Sequence, residues 1–161
     1  MGALSADDIP SLRRILHACR VIAVVGLSAQ WHRPSYFAAK YMLEHGYRVI
    51  PVNPQYREVL GQKCYASLRE IPEKVDMVDV FRKAADVPPI AEDAIAIGAK
   101  VLWQQLGVRN EAAAARARSA GLETVMDRCV KIEHGRLFGG LNWVGVNTRV
   151  ISAKRPRWLA Y

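Results

Sequence analysis

A rhythm of short apolar runs separated by stretches of helical character constrains this chain more than any other feature. The runs are VIAVVG (21–26), YRVIPVN (47–53), VDMVDVFR (75–82), KVLW (100–103) and LETVM (122–126). Between them lie helical patterns at 34–45, with Phe37, Ala38, Tyr41 and Met42 on one face, at 88–97 and at 110–120. Glycines 46, 98 and 121 stand where these helices should stop. An amphipathic helix at 7–19, with Ile9, Leu12, Ile15 and Leu16 on one side, precedes the first run. The connection at 55–74 reads as a long loop with a short helical piece at 67–71, and a further short helix is expected at 129–133.

Runs apolar on both faces suit strands of a parallel sheet covered on each side. Right-handed crossovers then place helices on both faces. The expected fold is α/β: a doubly wound, mostly parallel, Rossmann-like sheet of five or six strands. Pro51 removes a ladder donor, which argues against a central place for its strand. Such sheets bind ligands outside the carboxyl ends of their strands, here the loops 26–35, 53–56, 81–82, 103–107 and 127–129. Past residue 139 the rhythm stops. We therefore expect one domain over 1–152 and a basic tail over 153–161.

Three widely spaced cysteines form no CxxC pair, and the four histidines have no metal-ligand spacing. Neither a disulfide framework nor a metal site is expected. No run approaches the ~20 apolar residues of a membrane span, and no signal-peptide pattern opens the chain. A cytoplasmic location is the default. Of the net charge of +8, half comes from Arg149, Lys154, Arg155 and Arg157 near the end of the chain. With no nucleic-acid module visible, nucleic acid is not an expected partner.

The first loop joins a buried strand to Gly26, Ser28, Arg33, Pro34 and Ser35. Gly26 permits close backbone approach, and Pro34 suits a helix first turn. Two hydroxyls, a guanidinium and helix-end N–H groups suit a nucleotide phosphate. The loop lacks both G-x-G-x-x-G and the Walker pattern. The second strand ends in Asn53-Pro54, where a classical NAD site carries an acid for the ribose 2′-hydroxyl. An amide with Arg57 and Lys63 nearby instead tolerates a ribose phosphate, as in coenzyme A or NADP. Arg82 suits phosphate, and Gln104 and Gln105 suit adenine or a pantetheine amide. Cys129 begins a helix, where a thiol pKa can fall. No arrangement for nucleophilic or acid–base catalysis follows from spacing, so no catalytic residue is assigned.

In combination, VIAVVGLS with Arg33-Pro34-Ser35, YRVIPVNP, VDMVDVFR, GAKVLWQQLGV, the MDRC element, and Gly139-Gly140 with Val146-Asn147-Thr148 carry a family resemblance. Over roughly residues 10–152 the chain resembles the small bacterial CoA-binding proteins. These are single Rossmann-like domains related to the CoA-binding part of the succinyl-CoA synthetase alpha subunit. The resemblance implies coenzyme A, or an acyl-CoA, across the carboxyl strand ends. Gly26, Leu27 and Ser28 would meet the pyrophosphate or adjoining pantetheine. Asn53, Pro54 and Tyr56 would flank the adenosine, with Phe81 and Arg82 in the crevice. Trp103, Gln104 and Gln105 would sit against the other side of the ligand. The relatives' catalytic phosphohistidine lies in a domain this chain lacks, so that activity does not carry over. The expected function is CoA binding without catalysis, as a carrier, sensor or partner of an acyl-CoA enzyme. The alternative is a redox protein using NAD(P) or a CoA disulfide near Cys129 or His32. Trp158 and Tyr161 offer aromatic surface on which a second subunit could pack.

Overall fold

The computed structural model describes residues 6–138. Its strands in chain order are β1 (Val21–Val25), β2 (Arg48–Val52), β3 (Glu58–Val59), β4 (Gln62–Lys63), β5 (Met77–Val80), β6 (Val101–Gln104) and β7 (Glu123–Val125). The helices are α1 (Ile9–Ala18), α2 (Pro34–Glu44), α3 (Val87–Ala96), α4 (Glu111–Ser119) and α5 (Val130–Leu137). Five strands form one parallel sheet in the order β2-β1-β5-β6-β7. This is the expected doubly wound α/β fold.

Alternation along each strand divides the core into two layers. Ile22, Val24, Met77, Trp103 and Val125 meet Leu12, Ile15 and Leu16 of α1, Ala38, Ala39 and Met42 of α2, and Val130 of α5. Ala23, Ile50, Val78, Val80 and Leu102 meet Val87, Ala91 and Ala94 of α3 and Ala113 and Ala117 of α4. The all-alanine inner face of α4 lets that helix lie close to its neighbours.

Asn110 fixes where α4 begins. Its side-chain oxygen accepts from Ala113 N–H at 2.9 Å, and its amide donates to Ala84 C=O at 2.8 Å. Gln104 grips the Asn110 backbone on both sides, accepting its N–H at 2.7 Å and donating to its C=O at 3.2 Å. We expect Asn110→Ala to cost about 1–2 kcal/mol, through the lost cap and the unpaired Ala84 carbonyl. Urea denaturation measures this, and a change under 0.5 kcal/mol (roughly the scatter of a neutral surface change) would contradict the assignment.

As Pro51 indicated, β2 is an edge of the sheet. Tyr65 covers it, donating to Pro51 C=O at 3.0 Å and accepting from Asn53 N–H at 2.9 Å. Two features depart from the sequence reading. The long loop contains the β3–β4 hairpin, turned by Leu60 (φ 54°) and Gly61 (φ 70°). Strands of two residues are too short for a periodicity to show. Helix α5 runs to Leu137 rather than stopping near 133, because Gly135 is buried inside it and does not terminate it. The segment after 138, including the expected tail, lies outside the described residues, as do Gly139, Gly140 and Val146-Asn147-Thr148.

Candidate functional site

The strand order reverses between β1 and β5: the chain leaves β1 for β2 on one side, then crosses back to β5. At such a point consecutive connections diverge to opposite faces and open a crevice beyond the strand ends. A cleft of about 950 Å³ occupies this position. Its lining includes Gly26, Ser28, Arg33, Pro34, Ser35, Asn53, Tyr56, Phe81, Arg82, Gln105 and Cys129. The fold thus brings these eleven sequence-selected residues to one place.

Gly26 sits at the centre with φ +84°. A Cβ there would run into the Phe81 carbonyl oxygen and lie 2.8 Å from Arg82 Cδ. The missing side chain lets the ends of β1 and β5 approach and brings Arg82 over the loop. Ser28 N–H donates to Ser35 Oγ at 3.1 Å, and Ser28 Oγ accepts from Gln30 N–H at 3.1 Å. Arg33 Nε donates to Gln30 Oε1 at 3.2 Å. A short chain of hydrogen bonds therefore shapes the loop before α2. Neither Arg33 at the start of α2 nor Cys129 at the start of α5 caps its helix with a side chain. Residues of both first turns line the cleft, so two positive helix ends add to Arg33, Arg82 and Lys83. Arg82 Nε stands 3.9 Å from Asp86 Oδ2, a half-exposed pair.

Towards β2, Asn53 is engaged by the protein itself. Its Nδ2 donates to Leu27 C=O at 3.2 Å and its Oδ1 accepts from Gln55 N–H at 3.0 Å. It fixes the strand exit against the first loop and leaves Tyr56 and Gln55 facing the cleft. Arg57 and Lys63 are exposed and do not line it.

Towards β6 and β7 the lining turns apolar, with Leu106, Val108, Ile132 and Cys129 around the Gln105 amide. Gln105 Nε2 donates to Asp79 Oδ1 at 2.5 Å. Burial pushes the Asp79 carboxyl up to about 8, against the lowering effect of that amide. Burial pushes the Cys129 thiol up, against the lowering effect of the Ile132 and Lys131 backbone N–H groups in the first turn of α5 and with a smaller raising contribution from Asp79. The low-pKa thiol envisaged at this helix start is therefore not what the surroundings produce.

Four selected residues are placed elsewhere. Leu27 is buried in the core, presenting only its backbone near the loop. Pro54 is exposed outside the cleft lining. Trp103 is fully buried, its indole N–H donating to Arg128 C=O at 2.8 Å. Gln104 is fully buried and committed to Asn110. Lining residues not selected are Gln30, Gln55, Lys83, Asp86, Leu106, Val108 and Ile132. Lys83 precedes and Asp86 ends the 3₁₀ turn Ala84–Asp86 that leads into α3, and charges just after a strand end were the available signal. A second groove, of about 510 Å³, is lined by Ile9, Pro10, Arg13, Arg14, His17 and Phe138, with no strand end contributing. No helix among the described residues is long and apolar enough to cross a membrane.

The chain is similar to several known proteins. A family model described as a CoA binding domain matches residues 20–135. Uncharacterized protein YneT of Bacillus subtilis (strain 168) is 41% identical over 123 residues, covering 76% of this chain and 91% of that protein. The solved structure of a hypothetical protein from Pyrococcus horikoshii OT3 superposes with a TM-score of 0.82 at 43% identity, covering 86% of this chain and 98% of that one. Acetate–CoA ligase [ADP-forming] I of Archaeoglobus fulgidus is 38% identical over 74 residues, 46% of this chain and 11% of that much longer protein. A crevice at the strand-order reversal, ringed by a glycine turn, two helix starts and three cations, is thus found in a chain that belongs to the CoA-binding domain family.

Proposed function

We propose that this protein binds coenzyme A, or an acyl-CoA, in the cleft at the β1/β5 switch point, and that it carries out no reaction of its own. The observation that carries this reading is the meeting of Gly26, two uncapped helix starts and the cations Arg33, Arg82 and Lys83 in one crevice. A pyrophosphate placed there has N–H and guanidinium donors from several elements. The two flanks differ: Gln55 and Tyr56 suit a base and sugar, whereas Gln105, Leu106, Val108, Ile132 and Cys129 suit a mainly apolar arm. The family match and the acetate–CoA ligase relatives support the choice of CoA among nucleotides. They also support a partnership with an enzyme that makes or uses acyl-CoA. The raised Cys129 thiol speaks against a redox role, because the thiolate is the reactive form.

A ligand that binds only the native state raises the melting temperature. CoA should do so more than NAD; equal shifts with CoA and NAD would contradict the reading. Arg82→Ala should weaken CoA binding roughly 10- to 100-fold, the scale of a lost charged hydrogen bond, and flatten its salt dependence. Calorimetric titration at two ionic strengths measures both, and unchanged affinity would remove Arg82 from the phosphate site.

A further inference from the structure

Asp86 stands at the N-cap position of α3, yet its side chain makes no capping hydrogen bond. A capping carboxylate accepts from the N–H of the second or third helical residue. Here those residues are Pro88 and Pro89, and proline has no N–H to offer. The helix start therefore gives this carboxylate neither of its usual partners. The Asp86 N–H donates to Lys83 C=O at 2.9 Å and closes the 3₁₀ turn. That turn sets Asp86 Oδ2 3.9 Å from Arg82 Nε, and both residues line the cleft.

The Arg82 stem lies against the glycine turn, where a Cβ on Gly26 would stand 2.8 Å from its Cδ. Its guanidinium thus belongs to the anion site, but a protein anion reaches it first. Arg33 differs, because its partner is the neutral Gln30 amide oxygen at 3.2 Å. At 3.9 Å the Arg82–Asp86 pair is beyond hydrogen-bond reach, and both side chains are about half exposed. An ion pair of that kind is weak. A phosphate, by contrast, can meet the guanidinium with two short charged hydrogen bonds.

We propose that Asp86 is a stand-in anion for Arg82: it holds the guanidinium before the ligand arrives, is displaced by a ligand phosphate, and so limits how tightly the ligand is held. The proposal rests on the CoA reading and adds an affinity-limiting residue to that site. Two effects act in the same direction. The ligand must break the Arg82–Asp86 pair, and the Asp86 charge then stands beside the incoming phosphates. A binder built this way gives up some affinity and releases its ligand more readily.

Asp86→Asn keeps the shape of the side chain and removes its charge. In calorimetric titration of the whole chain it should bind CoA about 3- to 10-fold more tightly than the unmodified protein, the scale of an exposed ion pair with added like-charge repulsion. Asp86→Ser, which also lacks the charge, should tighten binding in the same way. In NMR spectra of isotopically labelled protein, the Arg82 Nε–H signal should differ between the unmodified protein and Asp86→Asn without CoA. The two signals should coincide when CoA saturates both, because phosphate then holds Arg82 in each. Unchanged or weaker CoA binding by the variants would overturn the proposal, weaker binding by making Asp86 a support for Arg82 rather than a rival. Arg82 signals that agree without CoA, or still differ at saturation, would overturn it as well. Each of these results leaves CoA binding by the unmodified protein intact, whereas failure of the unmodified protein to bind CoA would overturn both readings.

Discussion

Gly26→Ala should abolish measurable CoA binding and lower the unfolding free energy by about 2–5 kcal/mol. Two independent costs add. The backbone at φ +84° lies in the left-handed region, which costs an L-residue roughly 1–2 kcal/mol. The added methyl would also strike the Phe81 carbonyl oxygen and Arg82 Cδ, and overpacking of this kind typically costs about 1–3 kcal/mol. Relief requires β1 and β5 to separate at their carboxyl ends, which moves Arg82 away from the loop it covers. Denaturant unfolding and CoA titration of the same variant read the two effects. An alanine variant of native stability that binds CoA normally would show that neither the turn nor the close approach matters.

Asp79→Asn should become progressively more stable than the parent protein as pH rises from 5 to 8. The folded-state value of about 8 lies above the ordinary 3.8, so between these values the native state holds a proton that the unfolded chain releases. Stability then falls with rising pH by up to about 1.4 kcal/mol per unit. The penalty is absent below the unfolded value and complete above the folded one. Asparagine has no proton to lose and keeps an acceptor for Gln105, so it escapes that slope. Denaturation at pH 5 and pH 8 measures the difference. A gap between the two proteins that does not change with pH would mean that Asp79 is ionised in the native state.

Both residues illustrate how far the sequence could be read. Gly26 was legible because it ends a run of apolar residues and precedes hydroxyls, an arginine and a helix-starting proline. The local pattern and the site coincide there. Asp79 appeared only as an acid inside the run VDMVDVFR. Its meaning depends on Gln105, twenty-six residues away, which no local pattern relates to it. The run Trp103-Gln104-Gln105 shows a different limit. Sequence rhythm located the end of β6 but not the phase of its side chains. Alternation sends Trp103 and Gln105 to the Asp79 side of the sheet and Gln104 to the α4 side. One glutamine therefore reaches the cleft while its neighbour holds Asn110. Asn53-Pro54 was read as a nucleotide-facing pair, yet both ends of the Asn53 amide hold the chain itself in place. A turn-forming asparagine and a ligand-binding one look the same until their partners are known.

The fold also explains why this scaffold suits binding. The cations and the two helix starts are supplied by separate elements anchored in a parallel sheet, so the anion site is largely formed before the ligand arrives. Cys129 is the one thiol in the cleft lining; Cys19 and Cys64 are buried.

The most direct test of the central claim is an amide-resolved NMR titration of the isotopically labelled protein with CoA. The account predicts shifts concentrated at Gly26, Ser28, Ser35, Tyr56, Arg82, Gln105 and Cys129. Amides of α1 beside the second groove, including Arg13 and His17, should stay in place. Shifts confined to that groove, or no shifts at saturating CoA, would contradict the assignment of this cleft as the CoA site.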